Sequence, residues 1–89
     1  GDDPDADCTG DVTPPVISGV SIAADKRTVD VSWQTDEPTT GLVCNGKGDC
    51  ASTGLGTVHS TSVAKKGGTI EITATDEAGN VSTYGPASY

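Results

Sequence analysis

The feature that most constrains this chain is a two-residue alternation of apolar and polar side chains, interrupted every few residues by Gly, Pro, Asp or Asn. Thr28 to Gln34 (T-V-D-V-S-W-Q) sets Val29, Val31 and Trp33 on one face and Asp30 and Ser32 on the other. Thr69 to Thr75 (T-I-E-I-T-A-T) sets Ile70, Ile72 and Ala74 against Glu71, Thr73 and Thr75. Successive Cβ atoms of a strand point to opposite faces, so this period marks strands with one buried side. Four weaker runs share it. Val16 to Ala24 has Ile17 and Val20 among small residues, and Gly41 to Cys44 centres on Val43. Thr57 to Lys65 lines up His59, Thr61 and Val63, and Val81 to Ser88 closes the chain. Turn residues fill the gaps at Asp25-Lys26, Glu37-Pro38, Asn45-Gly46, Gly67-Gly68 and Gly79-Asn80. No segment keeps a helical period over three turns. The expected fold is all-β: a two-sheet β-sandwich of about seven short antiparallel strands.

A chain of 89 residues makes one domain. With 33% apolar residues, no Phe and no Met, its core is thin, and a staple would help it. The net charge of −8 repels polyanionic nucleic acid and anionic lipid, so neither is expected as a partner. It suits solubility and divalent cations instead. No apolar run approaches the roughly 18 residues that span a bilayer. Residues 1–13 are acidic and turn-rich and read as a linker; Pro14-Pro15 then opens a sandwich domain over residues 14–89. The start, GDDPDADC, has neither a basic segment nor an apolar stretch, so the sequence reads as a mature or trimmed piece of a larger protein.

The cysteines are Cys8, Cys44 and Cys50, with no C-x-x-C to suggest structural zinc. Cys44 and Cys50 enclose the turn-forming N-G-K-G-D, and a disulfide between them is the expected reading for a small secreted domain. Two free thiols are the alternative. Cys8 is then odd, which suggests a partner elsewhere or a free thiol, and a bridge from Cys8 to Cys44 or Cys50 stays open instead.

Several segments together resemble a known family. They are D-x-T-P-P at Asp11 to Pro15, V-x-W-x-T-D-E-P from Val31 to Pro38, His59 opening a later strand, and A-T-D-E-A-G-N from Ala74 to Asn80. In this order they resemble a fibronectin type III or related immunoglobulin-like domain of secreted bacterial proteins, over roughly residues 11–89. Two features depart from that pattern. The strand T-I-E-I-T-A-T-D lacks the Tyr such domains often carry there, and the Cys44–Cys50 loop is not part of the common pattern. The second and penultimate strands hold no cysteine, which argues against an immunoglobulin domain proper.

The tripeptide T-D-E occurs twice, at Thr35 to Glu37 and at Thr75 to Glu77, each time after an alternating run. In the topology that the resemblance implies, both strands end at the pole where the chain enters. Asp36, Asp76 and Asn80 would meet there, joined by Asp11 from the linker. Two readings stay open. The acids can accept from nearby backbone N–H groups and shape turns. They can also hold Ca²⁺, which takes several oxygen ligands and relieves the mutual repulsion of carboxylates. A calcium ion would stiffen the joint with an upstream neighbour.

The remaining motifs carry little chemistry. Asp3, Asp5 and Asp7 begin like a calcium loop, but the twelfth position from Asp3 is Pro14, which excludes an EF-hand. Gly41 to Lys47 (G-L-V-C-N-G-K) is one residue short of a phosphate-binding loop, and the next residue is Gly48, where that loop needs Ser or Thr. His59 has no G-x-S-x-G partner and is expected to pack or hydrogen-bond within the fold. Trp33 shares the face of Val29 and Val31, leaving only Tyr84 and Tyr89 for a sugar-stacking surface. No nucleophile–base pair or cofactor motif is visible, so the chain is not expected to be an enzyme by itself. The resemblance implies a monomeric, secreted, non-catalytic accessory domain that spaces, stabilises or docks a neighbouring domain. Its parent would be an extracellular hydrolase such as a protease or polysaccharidase. The alternatives are a module binding polysaccharide or fibrous extracellular protein, and a stalk repeat of a surface adhesin.

Overall fold

In the computed structural model, residues 13–89 are described. They form a curled antiparallel sheet of five strands and no helix: β1 (Ile17–Ala24), β2 (Thr28–Asn45), β3 (Cys50–Ala64), β4 (Thr69–Asp76) and β5 (Val81–Ser88). The all-β expectation holds. The expected count of short strands does not, because β2 and β3 each run through a segment that reads as a break.

In β2 the apparent break is Glu37-Pro38. Proline removes a ladder donor, which normally ends a central strand. Here the ladder to β3 skips this stretch: Gln34 pairs with Val58, and the next pair is Thr39 with Gly56. Pro38 therefore lies in a bulge, where no donor is required and the strand bends sharply. β3 bends at the same level, between Gly56 and Val58. Its first half, Cys50 to Gly56, holds Ala51, Gly54 and Gly56, residues that strands disfavour, and has weak strand propensity. It is held extended by pairing with β2, through Gly41–Thr53, Leu42–Ser52 and Val43–Ala51.

The bend gives the two halves of β2 different neighbours. Residues 28–35 lie between β1 and the second half of β3, with Ile22 opposite Val31 and Thr61 opposite the same Val31. Residues 39–45 lie between β4 and the first half of β3, with Val43 opposite Ile72 and Ala51. β5 completes the far side by pairing with β4.

One core cluster draws on both halves. Val29, Val31 and Trp33 come from the first, Val43 from the second, and Val63, Ile70 and Ile72 from β3 and β4. All are those that the period-two reading places inside, and Trp33 is only 1% exposed. His59 lies parallel to the Trp33 ring, with centroids 5.1 Å apart and planes 13° from parallel. The other ring edge fits against the Gly41 backbone, where a Cβ would stand 2.5 Å from Trp33 Cζ2. Only glycine lets β2 pass so close to its own tryptophan. The Trp33 indole N–H is buried without a hydrogen-bond partner, a penalty of about 1–3 kcal/mol that its packing must exceed. Trp33→Ala should therefore cost about 3–5 kcal/mol, read as a drop in denaturation midpoint. A variant that keeps the wild-type midpoint would show that the ring does not anchor the core.

Candidate functional site

Side chains with binding or catalytic potential gather at three places: the N-terminal pole, the opposite pole and the ring of His59. At the N-terminal pole the chain arrives through Pro15 and Val16. The Val16 N–H donates to Asp36 Oδ1 at 2.8 Å, and the Asp36 N–H donates to the Val16 carbonyl at 3.3 Å. The Ser82 hydroxyl donates to the Pro15 carbonyl. Asp36 thus ties the arriving chain to the bend of β2, and Ser82 ties it to β5.

Asp76 lies at the same pole, paired with Thr39 just past the bend. Its Oδ1 accepts from the N–H groups of Ala78 (3.0 Å) and Asn80 (2.8 Å), and its Oδ2 accepts from Asn80 Nδ2 at 3.0 Å. Burial works to raise the Asp76 pKa. Hydrogen bonds from the Asn80 side chain, from the Asn80 and Ala78 backbone, and with the Glu37 side chain outweigh it, so the pKa lies below the ordinary 3.8. Of the four residues expected to meet here, Asp76 and Asn80 are in direct contact, and Asp36 caps Val16. Asp11 lies outside the described residues. Glu37, from the first T-D-E, joins Asp76 from the second. Among the described residues no three His, Cys, Asp or Glu side chains group to hold a metal ion.

The opposite pole repeats this turn with the residue types exchanged. N-G-K-G-D (Asn45 to Asp49) joins β2 to β3, and D-E-A-G-N (Asp76 to Asn80) joins β4 to β5. Asn45 Oδ1 accepts from the N–H groups of Lys47 (2.9 Å) and Asp49 (3.0 Å), and Asn45 Nδ2 donates to Asp49 Oδ2 at 3.3 Å. In both turns the first residue's N–H donates to the fifth carbonyl, and the fourth residue's N–H donates to the first carbonyl. The fourth residue is Gly48 or Gly79, each at φ +89°, the left-handed conformation that closes a three-residue hairpin loop. The pattern [Asn/Asp]-x-x-Gly-[Asp/Asn] was visible in the sequence. The shared T-D-E covers only part of one copy and hides it.

The disulfide expected between Cys44 and Cys50 is present, across the base of the Asn45 turn with Cα atoms 4.1 Å apart. Closing so short a loop removes roughly 2–3 kcal/mol of unfolded-state entropy on the chain-entropy model. A disulfide is compatible with an oxidising extracellular setting. Cys8 lies outside the described residues. Beside this turn, the Gly68 N–H donates to the Tyr89 hydroxyl at 3.2 Å, which fixes the C-terminus at this pole. The described chain therefore begins at one end of the sheet and finishes at the other.

His59 is buried at 2% exposure. Its Nε2 is 2.8 Å from the Gly56 carbonyl, which can only accept, so Nε2 carries the proton. Nδ1 is 2.7 Å from the Thr53 hydroxyl. Both ring nitrogens are occupied in holding the bend of β3 beneath Trp33, in keeping with the expected packing role. The chain matches no family model, and no curated protein or solved structure matches it.

The left-handed glycines give the first expectation here. Gly79 has open space around its Cβ position but a positive φ, while Gly54 has open space and an ordinary φ. Gly79→Ala should cost about 1–2 kcal/mol from backbone strain alone, and Gly54→Ala should cost less. Equal thermal melts for the two variants would contradict the turn geometry. The second expectation concerns acid. A carboxylate whose folded pKa is depressed contributes stability that is present above its unfolded pKa, near 3.8, and lost as pH falls through the lower folded value. Asp76→Asn should lower the melting temperature at neutral pH and flatten its fall below pH about 4. A wild-type acid limb in the variant would remove Asp76 from the account.

Proposed function

We propose that the chain is a non-catalytic accessory domain of a secreted bacterial protein, placed in line between neighbours in a longer chain. The observation that carries this reading is the placement of the described ends at opposite poles, each fastened by its own hydrogen bonds. An eight-residue strand such as β4 spans about 26 Å between them, so such a domain sets a fixed separation between its upstream and downstream neighbours. Residues 1–13 would serve as the acidic linker. Asp36, Asp76 and Asn45 bind backbone, and His59 uses both ring nitrogens within the fold.

The fold reading behind this is a fibronectin type III or immunoglobulin-like sandwich. If each half of β2 and β3 is counted as a strand, β1 and the halves 28–35 and 57–64 make one layer. The halves 39–45 and 50–56 with β4 and β5 make the other. Counted so, the strand pairing supports reading the curled sheet as two layers of seven strands around one core. A hydrolase parent, a polysaccharide or fibre ligand, and an adhesin stalk rest on the resemblance alone.

We read the acids of the N-terminal pole as turn chemistry, since the Oδ1 atoms of Asp36 and Asp76 already accept backbone N–H groups. Two experiments test the proposal. The isolated domain should remain in the supernatant with insoluble polysaccharides and with collagen, and retention on either would replace the spacer reading with a binding one. Thermal melts should coincide in EDTA and in millimolar calcium. A calcium-dependent rise abolished by Asp76→Asn would instead establish an ion at the pole, through the linkage of ligand concentration to stability.

A further inference from the structure

We propose that the free edge of β3 pairs with the β3 edge of a second copy, giving a two-fold antiparallel dimer centred on Thr57. Among the described residues β3 pairs with β2 alone, so no strand covers its outer edge over Cys50–Ala64; the Gly56 carbonyl accepts from His59 and the Ala64 carbonyl from Asn45 Nδ2. Natural sheets guard such edges with charge or proline. β3, C-A-S-T-G-L-G-T-V-H-S-T-S-V-A, has neither in its 15 residues. The outer strand β5 carries Pro86 and left-handed Gly85, and β1 is broken by a bulge near left-handed Gly19. The edge without protection is therefore β3.

Three observations choose a second copy as the occupant. The first is shape. β3 bends between Gly56 and Val58 as it passes from one half of β2 to the other. A straight peptide cannot follow that edge. A two-fold axis along the sheet normal at Thr57 brings up a strand with the same bend in the same direction.

The second is charge. The uncharged run is bounded by Asp49 on one side and Lys65 and Lys66 on the other. Antiparallel pairing about Thr57 sets Asp49 of each copy opposite Lys65 of its partner, with Lys66 one step beyond. Both ends of the interface are then complementary, although the whole chain carries −8. Asp36 and Glu37 lie opposite Thr57 in the β2 bulge, on the side of β3 away from the free edge, and Asp76 lies one strand further, paired with Thr39.

The third is exposed apolar surface. Val58 is 73% and Leu55 56% exposed, and both lie within two residues of the axis. Pairing there would shelter them at the centre of the interface, where anchor residues act most strongly.

The test is sedimentation equilibrium of the full chain up to about 1 mM, the Kd range of weak associations. The expected result is an apparent mass that rises toward twice 8.9 kDa. Val58→Lys, at an exposed position, should keep the melting temperature of the fold and return the mass to that of a monomer. Thr57→Cys on a Cys8→Ser background should oxidise to a disulfide-linked dimer, and Asp30→Cys on the outer face of β2 should not. A wild-type chain that stays monomeric throughout overturns the proposal. So does a dimer that survives Val58→Lys, or equal cross-linking at positions 57 and 30. Open-ended growth instead of a closed dimer also overturns it, since it would mean head-to-tail pairing of different edges.

Discussion

The contact on which the structure depends is that of Trp33 with the backbone of Gly41, eight residues further along the same strand. β2 must fold back far enough for its second half to reach the ring carried by its first. The bulge around Pro38 permits that bend, and Gly41 permits the approach, since a side chain there would collide with Trp33 and Thr53. His59 stacks on a face of the ring and is itself held by Thr53 and the Gly56 carbonyl, at the matching bend of β3. One aromatic side chain thus ties together both bends. In a chain with 3% aromatics, little else is large enough to fill that space.

Around this centre the polar residues act chiefly on the backbone. The thin core leaves the ends of the sheet to be fixed by other means, and the chain uses one device twice. Asn45 and Asp76 each fold a five-residue turn over their own Oδ1, and a glycine with positive φ completes it. The exchange of Asn and Asp between the two copies preserves the hydrogen bond between first and fifth side chains, because an amide and a carboxylate pair in either order. A disulfide reinforces one turn, and the contact of Glu37 with Asp76 lies beside the other. The disulfide and the two closed turns tie down both poles.

The uncharged length of β3 has a further consequence. Its halves pair with different parts of β2, so it has no freedom to twist away from solvent as a short edge strand would. The same His59 that stacks on Trp33 holds the Gly56 carbonyl, between the exposed Leu55 and Val58. Core packing and edge presentation are coupled through one residue.

Strand content, the inner face of each strand and the Cys44–Cys50 bridge were legible in the sequence, because each depends on local spacing. A period of two places Val29, Val31, Trp33, Ile70 and Ile72 inside wherever the strand lies. The run of turn formers from Asn45 to Asp49 brings its flanking cysteines together unaided. Strand ends were not legible. Pro38 ends a strand when its neighbour needs a ladder donor and bends it when the neighbour's register skips that position, and only the pairing with β3 decides which. Likewise Cys50 to Gly56 has little strand propensity of its own and becomes a strand through its partner. Of the candidate pole, the shared turn of Asp76 and Asn80 was open to local reading, since the two are four residues apart. That Asp36 holds Val16 and that Glu37 reaches Asp76 depended on how two distant strands meet, a long-range contact that no local pattern encodes.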